Sequence, residues 1–236
     1  MAADLPSLTT SQVNRAGRIM RRYVLAQTSD EAEFDHALSI VVRDRAAHQY
    51  PLAKATMGVR SVVRTAGLPI EVSQRLKRLP TIADKLTREP TMQLATMQDI
   101  GGCRAVFDNI SALRRVEQKL KKNRPPVRYS DYIVAPRTSG YRAVHVVVGY
   151  LDEEGTERHI EVQLRTKVMH EWAITVERLS GRLGDDLKSR GPAELRALLA
   201  GISAAMALEE AGETVTPEML EHLTALRQAA LPYLGR

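Results

Sequence analysis

The chain's 236 residues suffice for one large hydrophobic core or two small ones, and 44% hydrophobic with 26% charged residues is the make-up of an ordinary globular protein. A formal charge of +6 and a pI near 9.6 point to an anionic partner, nucleic acid or a polyphosphate nucleotide, the alternative being a generally basic surface. Scarce aromatics argue against a platform that stacks several bases, the lone Cys103 excludes an internal disulfide framework and fits a reducing compartment, and the histidines lack the Cys/His spacing of a structural zinc site. No apolar run reaches about 18 residues and no secretory apolar segment opens the chain, so it reads as cytoplasmic, with no membrane span.

Residues 8–27 read as a helix with Val13, Ile19, Met20 and Val24 on its apolar side. Arg15, Arg18 and Arg22 share another face, with Arg21 beside them. Such a stripe is usually solvated surface, and it also suits a phosphate backbone. A second helix starts after 28–30, where Ser29 can cap free N–H groups, and buries Phe34, Leu38, Val41 and Val42. Pro51 ends or restarts that segment, and a third helix, 52–66, closes at Gly67.

From Ile70 the pattern changes to short strands alternating with helices. Residues 70–79 read as a strand with Arg75 and Lys77 on one side. Pro80 opens a short helix carrying Lys85 and Arg88. Four cations within fourteen residues can surround a triphosphate. Asp99, at the mouth of a Gly101-Gly102 turn, leads into a strand with Arg104 just inside, and the glycine pair lets backbone approach a ligand. Residues 109–122 form a basic amphipathic helix broken by Pro125-Pro126. A strand over 127–134, a loop through 136–140 and a long central strand over 141–151 follow.

After a turn at 152–155 comes the most informative stretch, His159-Ile160-Glu161-Val162-Gln163-Leu164-Arg165. Strict polar/apolar alternation marks a strand with Ile160, Val162 and Leu164 packed inward. His159, Glu161, Gln163 and Arg165 then line the other face, about 7 Å apart. A helix from Lys167 carries Trp172 as a core anchor, and two further helices, about 192–211 and 217–230, read as packing or assembly elements of a homo-oligomer.

Four segments, in this order, resemble the synthetase domain of the RelA/SpoT family of pyrophosphokinases. They are Arg75-Leu76-Lys77 with 81–85, the segment 99–104, the segment 131–145, and Glu161 to Thr166 followed by Met169 and Trp172. Each is weak alone, and the ordered set is specific. The resemblance implies an α+β, nucleotidyltransferase-like fold, with a mixed sheet of about five strands flanked by N- and C-terminal helices. The whole chain, 1–236, would be one such domain: N-terminal helices over 1–68, a catalytic core over 69–183 and C-terminal helices over 184–236. It also implies transfer of the β,γ-pyrophosphate of ATP to a ribose 3′-hydroxyl with release of AMP.

By that resemblance Arg75, Lys77, Thr81, Lys85, Arg88 and Arg104 bind ATP, with Arg75 and Arg104 able to sandwich adenine. Asp99 and Glu161 hold Mg²⁺, a hard ion that prefers carboxylates and phosphate oxygens. Glu161 also draws the proton from the attacking hydroxyl, while Gln163 positions its neighbours. Arg137, in place of the family's usual lysine, with Tyr141, His145, Arg165 and His170, faces the acceptor. His170 stands where the family often has Asn or Asp to read guanine, and Val176-Glu177 replaces a usual Glu-His pair. No His-Asp dipeptide occurs, so the family's hydrolase domain is expected to be absent, leaving a stand-alone small synthetase. Segment 90–104 is most similar to the toxic branch of small synthetases, several of which are paired with an antitoxin, often in phages, and modify the 3′-CCA end of tRNA. The favoured acceptor is therefore the tRNA 3′-adenosine, with Arg15, Arg18 and Arg22 as tRNA contacts. The alternatives are GDP/GTP, giving (p)ppGpp, or adenosine nucleotides, giving (p)ppApp. A catalytically inert RNA- or nucleotide-binding module and a nucleoside-monophosphate transferase are readings from other classes.

Overall fold

The computed structural model describes residues 7–183, 187 and 191–234. Three helices lead: α1 (Thr10–Val24), α2 (Glu31–Ala46) and α3 (Gln49–Thr65). Thr9 and Gln12 cap α1 reciprocally, each satisfying a free donor of the other's backbone. Asp30, not Ser29, caps α2: its carboxylate accepts from Glu33 N at 2.9 Å, because Asp30 directly precedes the first helical residue. Val42 is 43% exposed, so the buried stripe of α2 runs through Ala37 and Val41. Pro51 sits in the first turn of α3, where its missing N–H costs nothing, and Gly67 follows the helix end at φ 69°.

The core continues as β1 (Val72–Leu76), α4 (Leu79–Arg88), a single 3₁₀ turn, β2 (Gly101–Phe107), α5 (Ile110–Asn123), β3 (Arg128–Asp131), β4 (Val144–Leu151), β5 (Glu157–Thr166) and α6 (Lys167–Leu183). The first strand is shorter than expected because Pro80, near the start of α4, draws Leu79 into the helix. β3 is likewise shorter than 127–134, since Asp131 folds back to accept from the N–H groups of Ile133 and Val134. The strands order as β1-β2-β5-β4-β3, with β2 and β5 parallel and every other pairing antiparallel. This is the mixed five-stranded α+β architecture expected of the sequence.

One face of the sheet is the core. Val72, Cys103, Ala105, Phe107, Val144, Val146, Ile160, Val162 and Leu164 pack there against α3 and α5. A second apolar cluster joins α1, α2 and α4, and a third joins α6 to the C-terminal pair α7 (Ala193–Ala211) and α8 (Pro217–Leu234). Trp172 anchors the third cluster, donating its indole N–H to Leu199 O at 2.9 Å. Gly181 lies inside α6, and Gly184 falls outside the described residues. Buried ions tie the helices to the sheet: Arg158 on β5 pairs with Asp44 of α2 at 2.6 Å and with Asp152 of the β4–β5 turn at 2.8 Å. Among the described residues no helix is long and apolar enough to cross a membrane.

The glycine pair divides its work. A Cβ on Gly101 would stand 2.6 Å from Ile160 Cδ1, and Ile160 is fully buried, so that glycine serves the core. A Cβ on Gly102 would meet nothing closer than Glu161 O at 3.5 Å. Gly101→Ala should cost about 1–3 kcal/mol through overpacking, whereas Gly102→Ala should leave the urea midpoint nearly unchanged. Equal midpoints for the two variants would contradict this assignment.

Candidate active site

The alternation read from 159–165 places Ile160, Val162 and Leu164 in the core and turns Glu161, Gln163 and Arg165 to the opposite face of β5. Neighbouring strands share rows on that face, because residues in register point the same way. Arg75, Gly102, Glu161 and Val147 form one row; Ser73, Arg104, Gln163 and His145 form the next. Gly102 therefore leaves an open space directly beside Glu161.

Two hydrogen-bonded arms converge on Glu161. His145 Nδ1 lies 2.9 Å from Glu161 Oε1, and Gln163 Nε2 donates to Oε2 at 2.5 Å. Arg165 Nη2 starts both arms, donating to Gln163 Oε1 at 3.0 Å and to the Tyr141 hydroxyl at 2.9 Å. That hydroxyl lies 2.7 Å from His145 Nε2. With a proton on His145 Nδ1, both arms end in a donor to the carboxylate. Burial pushes the Glu161 carboxyl up, but His145, by hydrogen bond and by charge, and the Gln163 amide outweigh it, so the group stays ionised below the usual carboxylate range.

Asp99 stands just before β2. Lys77, beyond the end of β1, and Lys85, on α4, each donate to one of its oxygens at 2.9 Å. Burial again opposes ionisation, and the two lysines overcome it, holding this carboxyl below its ordinary value. Glu161 feels the charge of Asp99, which pushes its carboxyl upward.

Two cavities open over this face. One, about 240 Å³, lies over β1 and β2 and is lined by Ser73, Arg75, Lys77, Arg104, Gln163 and Glu177 among others. The other, about 270 Å³, lies over β4 and β3 and is lined by Lys85, Arg128, Tyr132, Arg137 and His145 among others. The residues lining both are Asp99 and Glu161. The two acids, 62 positions apart in the chain, thus form a common wall between two polar compartments. Lys77, Lys85, Arg88 and Arg137 line a joint cleft with them.

Among the described residues no group of three or more His, Cys, Asp and Glu side chains is placed to hold a metal by itself. A pair of carboxylates facing a phosphate-sized cleft does fit Mg²⁺, which takes one or two carboxylates and completes its shell with phosphate oxygens and water. Cys103 points into the core, and burial pushes its thiol up to about 12, so it is not a nucleophile.

Residues 74–178 match the family model described as "Region found in RelA / SpoT proteins". That likeness covers a little under half of the chain. It is 36% identical over 135 residues to the GTP pyrophosphokinase YjbM of Bacillus subtilis, covering 52% of this chain and 64% of that protein. It is 29% identical over 139 residues to the GTP pyrophosphokinase YwaC of the same organism, covering 54% of this chain and 66% of that one. The matches thus span a little under two thirds of those relatives. The fold is similar to small alarmone synthetase 1 from Bacillus subtilis, solved bound to its product pppGpp, with a TM-score of 0.64 at 24% identity over 72% of this chain and 92% of that one.

All the sequence-predicted residues on strands of the RelA/SpoT region reach the cleft, and so do Lys85 and Arg88 of α4 and Arg137 of the loop before β4. Tyr141 lines the cleft too, but as a buried ring packed near Trp172, with its hydroxyl held by Arg165 and His145. Tyr132 is the more open ring beside it: the Arg137 guanidinium lies 4.5 Å from its centroid and donates to its hydroxyl at 2.8 Å. Thr81, on the first turn of α4, and His170, on α6, line none of these cavities. Burial, then the charges of Arg104 and Arg165, lower the His170 pKa, so it sits neutral beside the Arg104 side of the cleft. Arg15, Arg18 and Arg22 are exposed on α1 and contribute nothing to the cleft lining.

Tyr132, Arg128, Ser139 and Glu177 line the cleft without having been singled out. Tyr132 and Ser139 fall within the 131–145 motif and Glu177 stands at the position of the family's usual Glu-His pair, so their positions were signalled; that of Arg128 was not.

The Asp99 ion pairs have a definite pH signature. Its folded carboxyl titrates below the unfolded value near 4, so the stabilisation is complete above that value and lost as pH falls through the folded one. The urea-midpoint difference between wild type and Asp99→Asn should be full above about pH 5 and shrink toward pH 2. A difference constant across that range would count against the pairing.

Proposed function

We propose that the chain is an ATP-dependent pyrophosphokinase. The observation that carries this reading is the pair Asp99 and Glu161 standing as the wall between two compartments, one rich in arginine and lysine, the other holding Tyr132, Arg137 and His145. A reaction that joins two nucleotides needs a donor site, an acceptor site and the acids between them.

In this reading Arg75 and Arg104 take the adenine of ATP between their planes, and Lys77, Lys85 and Arg88 neutralise its phosphates. Asp99 and Glu161 would hold Mg²⁺, which neutralises phosphate charge and orients the transferred group. The acceptor lies on Tyr132 and Arg137, with Tyr141 and His145 behind. Its 3′-oxygen attacks the β-phosphorus of ATP, the bond from that phosphorus to the α,β-bridging oxygen breaks, and AMP leaves. Glu161 accepts the hydroxyl proton, and His145 and Gln163 hold the carboxylate in one orientation while it does so. A low-lying carboxyl is a weak base, so positioning carries more of the rate than basicity.

The acceptor best supported is GDP or GTP, because the relatives at 36% and 29% identity are named GTP pyrophosphokinases and the structural neighbour holds pppGpp. The exposed stripe Arg15, Arg18 and Arg22, the charge of +6 and His170 in place of a guanine-reading residue favour a second reading, the 3′-CCA adenosine of tRNA. That version would make the chain a translation inhibitor of the toxin–antitoxin kind, with a neutralising protein partner, as in phage defence.

Incubation with [γ-³²P]ATP and, separately, GDP, GTP, ATP and tRNA decides among acceptors. Label in guanosine nucleotides alone eliminates the tRNA version, and label in tRNA alone eliminates the guanosine version. Release of pyrophosphate in place of AMP would refute pyrophosphoryl transfer altogether. Glu161→Gln should lower kcat by about 10²–10⁴-fold with ATP binding retained, read by equilibrium dialysis against labelled ATP.

A further inference from the structure

The loop over 136–143 carries Arg137 and Tyr141 into the cleft. From the sheet, Arg165 and His145 hold the Tyr141 hydroxyl, and Tyr132 N donates to Ala143 O at 2.8 Å. Helix α7 holds the loop from the other side. Gly140 has φ 85°, and a Cβ there would stand 2.8 Å from Ala200 Cα on α7, so helix backbone and loop backbone touch. Ser203 Oγ donates to Gly140 O at 2.5 Å in a buried setting. Two residues on, Arg142 pairs with Glu210 at 2.6 Å, with side chains only 6% and 8% exposed. The other oxygen of Glu210 accepts from the Thr166 hydroxyl, at the end of β5. One carboxylate near the C-terminus of α7 therefore fastens both the loop and the strand that carries Glu161.

α7 lies wholly beyond residue 178, where the RelA/SpoT region ends. We infer that α7 is a clamp that sets the acceptor side of the site, with Glu210 and Ser203 as positioning residues that act through loop 136–143 and touch no substrate. The clamp rests on the pyrophosphokinase reading only for its kinetic consequence. Its physical basis is that a buried ion pair fixes geometry strongly: removing one charge leaves the other without compensation. The residues the clamp grips, Gly140, Arg142 and Thr166, lie on the loop and at the end of β5, whereas the donor-side residues Arg75 and Arg104 are carried by β1 and β2. The clamp should thus separate the two substrates.

Glu210→Gln should raise the acceptor KM by about tenfold while leaving the ATP KM within about twofold, and Ser203→Ala, which removes one hydrogen bond and no charge, should do the same more weakly. Hydrogen exchange followed by mass spectrometry should show faster exchange over 136–143 in both variants and unchanged exchange over 72–107. Acceptor and ATP KM rising together, or loop exchange equal to wild type, would overturn the clamp. Should Glu210→Gln fail to fold, Ser203→Ala decides by the same two readouts. Should the wild-type protein transfer nothing to any acceptor, the pyrophosphokinase reading fails, and loop exchange alone still decides whether α7 clamps the loop.

Discussion

The site depends on a ring of hydrogen bonds in which Arg165 feeds two arms that both end on Glu161. A carboxylate half-hidden above a sheet would ordinarily take up a proton as burial raises its pKa. Here His145 serves one oxygen and the Gln163 amide the other, and the Arg165 guanidinium, four residues along the strand, bonds to Gln163 directly and reaches His145 through Tyr141. The carboxylate is thereby held ionised, available to a cation or a proton. Asp99 reaches the same state by another route, with an ammonium on each oxygen.

The ring rests on the antiparallel pairing of β4 with β5, and the open space beside it on the parallel pairing of β2 with β5. That register sets Gly102 opposite Glu161 and Arg104 opposite Gln163. A side chain at 102 would intrude on the space between the acids, and a shift of one residue would turn Glu161 into the core. The antiparallel strands on either side then divide labour, β1 supplying Arg75 and β4 supplying His145. Sheet topology is thus what converts four separated motifs into two compartments with one wall.

The helices act on the site from its edges. α4 brings Lys85 to Asp99 from the cluster shared with α1, where Arg21 donates to the carbonyls of Leu86 and Met92 and fixes the end of α4. Arg21 therefore spends its charge inside the protein, while its neighbours Arg18 and Arg22 remain outside. At the other edge α7 bears on the loop before β4 through a glycine that admits no side chain. The two helices thus bear on the cleft from different edges.

Local pattern fixed a good deal before any fold was known. Strict alternation over 159–165 identified that stretch as a strand and gave the face of each of its residues, since a period of two admits only one arrangement, whereas its place at the centre of the sheet came from the fold. Pro80 and Gly67 marked helix boundaries through backbone chemistry that needs no neighbours. The choice of Asp30 over Ser29 as cap, the exposure of Val42 and the different duties of Gly101 and Gly102 were beyond it, because each turns on what packs alongside. The same holds for the burial of Tyr141, the openness of Tyr132 and the pairing of Arg142 with Glu210, 68 positions away. Residue types and spacings fix which groups one element can present. Which groups meet across elements is decided by register and helix docking, and those exist only in the assembled core.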